Sequence, residues 1–142
     1  MTTSEQYADT LIPAQAGTPP SALSGVRVLD FTRAQQGPFA TLLLADMGAE
    51  VIKVEPPGGE MGRVSGLQPD GFSSYFEGHN RGKRSITLDL KRPGAIEVVE
   101  RLMPACDVVV ENFRPGVMER LGIGYEDCKR LREDIIFASA SA

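Results

Sequence analysis

Only one histidine and two cysteines occur among the 142 residues. The lone His79 leaves no basis for a Ser-His-Asp arrangement and reads as a structural or surface residue. Cys106 and Cys128 lie far apart and fit neither a metal-ligand nor a CxxC spacing, so no metal and no disulfide framework are expected. Two plain thiols in an acidic chain point to a reducing compartment and a cytoplasmic protein. An excess of basic charge is also missing: the net charge is -4 and the isoelectric point about 5.0, which argues against a general nucleic-acid binder. No apolar run is long enough to span a bilayer, and the opening residues lack the basic and apolar regions of a secretory signal. Neither GxGxxG nor GxxxxGK[ST] follows a strand, so a standard dinucleotide or nucleoside-triphosphate loop is not expected.

What is present is an alternation of strand and helix patterns. Residues 1–24, rich in Thr, Ser, Ala, Gly and Pro without a hydrophobic period, read as a disordered leader. Val26–Phe31 is a short apolar run, followed by the polar loop Thr32–Pro38. Phe39, Leu42, Leu43 and Met47 then recur at helical spacing up to Gly48, a natural C-terminal cap. Glu50–Glu55 reads as a second strand, and Pro56–Gly71 as a long Pro- and Gly-rich loop.

Further on, Ser73–Phe76 reads as a helical turn, His79–Arg84 as a basic turn and Ser85–Leu90 as a β-branched strand. Pro93 opens a helix to about Met103. Asp107–Phe113 carries three consecutive valines and reads as a buried parallel strand. Short helices are expected at Val117–Leu121 and Tyr125–Arg132, and a last strand at Ile135–Ser139. Residues 25–142 thus predict an α/β fold: a partial, Rossmann-like open parallel sheet with flanking helices. The last strand has no helix after it, so the domain reads as cut off partway.

In such sheets ligands sit outside the carboxyl ends of the strands. Arg33, Gln35 and Gln36 follow the first strand, Lys91 and Arg92 the third, Asn112 and Arg114 the fourth, with Arg120 one helix further on. Clustered cations and amides at that edge suit a phosphorylated ligand. By spacing alone they equally describe a solvated rim. Asn112 and Phe113, ahead of Arg114-Pro115-Gly116, either present an aromatic face to an adenine or form an ordinary strand-to-helix connection.

Three stretches carry a resemblance: GVRVLDFTRAQQGPFATLLLADMGAEVIKVEPPGGE, GHNRGKRSITLDLKRPGAIEVV and CDVVVENFRPGVMERLGIGYE. In this order they are similar to the amino-terminal part of the class III CoA-transferases, the CaiB/BaiF family. The resemblance implies a two-domain protein with a Rossmann-like large domain and interlocked homodimeric subunits. It implies transfer of coenzyme A between an acyl-CoA thioester and a free carboxylic acid, through an anhydride and a thioester on an aspartate.

By the same resemblance the CoA-holding positions fall on Arg33, Ala34, Gln35, Gln36, Leu88, Lys91, Asn112, Phe113 and Arg120. The Gln35 amide falls near the reacting carboxylate, the one catalytic position present. The family's nucleophilic aspartate lies downstream of this chain; none of Asp30, Asp46, Asp89 or Asp107 matches it. Pro56 stands where some members place a CoA-contacting arginine. Two other readings share these stretches: part of an α-methylacyl-CoA racemase-like enzyme, and a non-catalytic CoA-binding module completed by a partner chain. No nucleic acid or membrane partner is expected.

Overall fold

Five short runs rich in Val and Ile form the strands β1 (Arg27–Asp30), β2 (Glu50–Glu55), β3 (Arg84–Thr87), β4 (Val108–Glu111) and β5 (Ile136–Ser139). They pair in parallel in the order β3-β2-β1-β4-β5 in a computed structural model that describes residues 20–66 and 69–140. The register sets Asp30 beside Lys53 and Val110, and Lys53 beside Ser85, so these residues lie at one level of the sheet.

The helices are α1 (Gln36–Asp46), α2 (Ser74–Asn80), α3 (Pro93–Leu102), α4 (Val117–Arg120) and α5 (Tyr125–Leu131), with 3₁₀ turns at Met61–Val64 and Met103–Ala105. Local chemistry sets their ends. Ser73 caps α2 by accepting a hydrogen bond from the Phe76 amide at 3.1 Å. Pro93 occupies the first turn of α3, where no amide hydrogen is needed. Gly48 stops α1 by turning into the left-handed region, with φ +98°.

Several boundaries differ from those expected. Helix α1 begins at Gln36 rather than after Pro38. Proline is tolerated in a first turn, and Gly37 lets that turn press on Thr32: a Cβ there would sit 2.4 Å from the Thr32 Cβ. Helix α2 extends to Asn80, through the start of the stretch read as a basic turn. Strand β3 begins one residue early and ends at Thr87, although the Leu88 amide still reaches the Glu55 carbonyl at 2.8 Å.

Residues 1–19 of the expected leader lie outside the described residues. Its end forms a turn: the Leu23 amide bonds the Met47 carbonyl at 2.9 Å, and Leu23 packs beneath α1.

The two faces of the sheet are unlike. One is apolar along its length, where Leu29, Val54 and Val109 meet Val99 and Met103 from the α3 side and Met118, Ile123 and Cys128 from the α4–α5 side. The other, under α1, is apolar at Val28 and Val51 toward the amino ends of the strands and at Val110, level with Asp30. Toward the carboxyl ends it carries Asp30, Lys53 and Glu55, each no more than 1 % exposed. Among the described residues no helix is long and apolar enough to cross a membrane.

Candidate functional site at the strand switch point

The chain leaves β1 in one direction along the sheet and β4 in the other, which makes this pair the switch point whose crevice is the usual seat of a ligand in an open α/β sheet. Between Asp30 and Gln36 the backbone must turn sharply from strand to helix. It does so with Ala34 at φ +65°, which among the described residues is the one non-glycine residue in the left-handed region. That conformation costs an alanine about 1–2 kcal/mol and persists only where neighbours enforce it.

Three sets of contacts enforce it. From the β4 side, the Asn112 side chain clips the loop at both groups of one residue: its Oδ1 accepts from the Arg33 amide at 2.8 Å, and its Nδ2 donates to the Arg33 carbonyl at 2.9 Å. The next residue, Phe113, lies under the Arg33 guanidinium, 4.7 Å from ring centre to the guanidinium carbon, a cation–π stack. Arg33 Nε is buried there without a hydrogen-bond partner.

From below, the buried charges hold the start of the loop. Asp30 Oδ1 accepts from the Thr32 amide at 2.8 Å and from its hydroxyl, and Lys53 donates to the Thr32 carbonyl at 2.9 Å. Asp30 Oδ2 accepts from Thr41 at 2.6 Å and from Lys83 at 3.1 Å. The Lys83 ammonium also meets the Pro38 carbonyl, Thr41 and Asn80. Burial pushes this ammonium below the usual lysine range, against the opposing pull of Asp30.

From the β2 side comes Glu60, 3 % exposed, whose Oε2 accepts from the Ala34 amide at 3.0 Å. Glu60 is anchored by its own amide, which donates to Glu55 Oε2 at 3.1 Å. Glu55 also accepts the two-pronged Arg63 fork at 2.6 and 2.7 Å and the Ser85 hydroxyl. Burial alone raises a carboxyl's pKa; here the Arg63 fork, Ser85 and the Glu60 amide outweigh it and hold Glu55 down at about 2.

The loop therefore has a fixed backbone and a free tip. Gln35 and Gln36 are exposed, and the Gln35 side chain makes no capping bond to α1 although it occupies the N-cap position. Of the residues singled out from sequence, Arg33, Ala34, Gln35 and Gln36 form this corner, and Asn112 and Phe113 join it directly. Leu88 packs on the core, Lys91 is exposed beyond β3, and β2 separates that strand from the crevice. Arg120 folds back over its own helix start, where a Cβ on Gly116 would sit 2.9 Å from its Nη1.

Sequence reasoning missed Asp30, Thr41, Lys53, Glu55, Glu60 and Lys83 as loop supports. The available signal was charge at the inward positions of Val51-Ile52-Lys53-Val54-Glu55. Among the described residues no group of three or more His, Cys, Asp or Glu is placed to hold a metal ion.

A family model described as CoA-transferase family III matches residues 23–142. Formyl-CoA:oxalate CoA-transferase from Afipia carboxidovorans is 51% identical over 121 residues, 83% of this chain and 28% of that protein. The crystal structure of Rv3272 from M. tuberculosis superposes with a TM-score of 0.83 at 45% identity, over 88% of this chain and 36% of that one. A CaiB/BaiF family protein from Brucella suis gives a TM-score of 0.79 at 38% identity, over 85% of this chain and 33% of that one. The chain thus spans about a third or less of the length of these relatives, with the whole β1–α1 corner inside the match; it belongs to CoA-transferase family III.

Proposed function

We propose that this chain carries the CoA-holding side of a transferase that moves coenzyme A between an acyl-CoA thioester and a free carboxylic acid. The observation that carries this reading is the clipped corner at the switch point: Asn112 fixes both backbone groups of Arg33, beside the Arg33–Phe113 stack and two residues before the exposed Gln35. Arg33, Ala34, Gln35 and Gln36 with Asn112 and Phe113 form the core of the CoA contact. Leu88, Lys91 and Arg120 extend it along the rim.

In the reaction a carboxylate oxygen attacks the thioester carbonyl carbon, the C–S bond breaks, CoA leaves as its thiolate, and an acyl anhydride forms. Negative charge develops on the carbonyl oxygen, and the Gln35 amide is the donor assigned to it. The attacking carboxylate comes from outside these 142 residues, from a complementing chain or a longer form, assembled as interlocked subunits. In support, the buried carboxylates at the carboxyl edge are committed elsewhere: Asp30, Glu55, Glu60 and Glu111 each accept internal hydrogen bonds and are at most 5 % exposed.

Calorimetric titration of the chain with CoA tests the reading. Saturable binding that acetyl-CoA competes away is expected, with no transfer of CoA to an added carboxylate. Absence of binding overturns the CoA site, and turnover by the chain alone overturns the assignment of the nucleophile elsewhere.

A further inference from the structure

We infer that Glu60 is a positioning residue: a latch that holds Ala34 in its left-handed conformation and thereby aims Gln35 into the crevice. This inference rests on the CoA-site reading above. Four observations carry it.

Ala34 is strained, and the residue immediately after it is the exposed Gln35. The Ala34 amide donates to the Glu60 carboxyl at 3.0 Å, a bond that a shifted backbone would lose. Glu60 cannot easily follow such a shift. It is 3 % exposed, its amide is tied to Glu55, and Glu55 is held in turn by Arg63 and Ser85. The space around it is tight as well, since a Cβ on Gly62 would sit 2.4 Å from Glu60 Oε1.

The loop therefore has two holders with separate tasks. Asn112 fixes where Arg33 lies; Glu60 fixes how the chain turns after it. Without the latch, Ala34 relaxes toward φ below zero and Gln35 swings away from its present direction. Glycine at position 34 adopts the same turn without strain, so it has no need of the latch.

The test uses the full chain in four forms: unchanged, Glu60→Gln, Glu60→Ala, and Glu60→Ala combined with Ala34→Gly. Glu60→Gln keeps an oxygen for the Ala34 amide and is expected to bind CoA within about threefold of the unchanged chain. Glu60→Ala is expected to weaken CoA binding at least about tenfold, and adding Ala34→Gly to recover most of that loss. A role in general stability alone predicts no such recovery. Unchanged affinity in Glu60→Ala, or no recovery with Ala34→Gly, overturns the latch.

A second readout does not depend on CoA. The NMR coupling between amide and α protons, with the carbon shifts of Ala34, reports its φ. It is expected to leave the left-handed range in Glu60→Ala, and its persistence there overturns the latch even if the chain binds no CoA. Should Glu60→Ala fail to fold, amide exchange in the unchanged chain decides: the Ala34 amide must exchange more slowly than that of Gln35, and equal rates overturn the proposal.

Discussion

Gln35, in the loop after β1, and Glu55, at the end of the neighbouring strand β2, do opposite work. Gln35 is exposed and unbonded at its side chain, so Gln35→Ala removes little from the folded state; stability within about 0.5 kcal/mol of the parent is expected in urea unfolding. Its effect belongs to the reaction. In an assembled enzyme, loss of one donor to a developing oxyanion costs about 10²–10³ in kcat, with KM little changed; equal losses in turnover and affinity would instead assign Gln35 to ground-state binding.

Glu55 is the reverse case, 1 % exposed and ionised at the centre of the supports. With its carboxyl held at about 2 against an ordinary 4.5, the folded state keeps it charged where the unfolded chain protonates it. Its stabilisation is present above pH 4.5 and is lost as pH falls toward about 2. The fall is about 2–3 kcal/mol, at the lower end because Arg63 is partly solvated. Urea unfolding across that range is expected to show this loss in the parent and not in Glu55→Gln. Equal acid sensitivity in both would show that other carboxylates control it.

At the level of elements, β2 explains both what was legible and what was not. The strand pattern of Glu50–Glu55, the three valines of β4, the glycine stop of α1 and the proline start of α3 are local signals, and each placed its element. The position of the corner after β1, at the carboxyl edge of a parallel sheet, was also readable. The burial of Lys53 and Glu55 was not readable. An alternating strand says which residues share a face, not what covers it, and the covering groups come from other parts of the chain: Thr41 from α1, Asn80 and Lys83 from the stretch that reads as a basic turn. Asn112 was likewise legible as polar at a strand end, whereas its partner is fixed only by β4 pairing with β1. Asn112→Ala removes two hydrogen bonds across that pairing, at about 1–3 kcal/mol together. The expected signature is local: faster amide exchange at Arg33, weaker CoA binding and unchanged exchange in β1. A uniform rise in exchange throughout the sheet would assign Asn112 to global stability rather than to the corner.

The molecule as a whole leaves one helix unevenly covered. Helix α1 is apolar nearly all round, which normally marks a helix enclosed on every side, yet Phe39, Leu43 and Met47 are 50 %, 46 % and 46 % exposed. Spaced four residues apart, they form one stripe. Self-association is the natural outcome, and its strength can be bounded. Full burial of such side chains is worth about 1.5–3 kcal/mol each, and roughly half remains to be gained, so two facing stripes supply about 5–9 kcal/mol. Loss of translational and rotational freedom on pairing costs about 4–15 kcal/mol. The stripe alone therefore supports weak, reversible association and not a tight dimer. Sedimentation velocity is expected to show one boundary that moves faster as protein concentration rises. Leu43→Gln with Met47→Gln, chosen to leave the net charge unchanged, is expected to abolish that dependence. A dimer that persists at the lowest concentrations, or one that survives the double substitution, would place the association on another surface, such as the open edge of β5 where Ile136 is 62 % exposed.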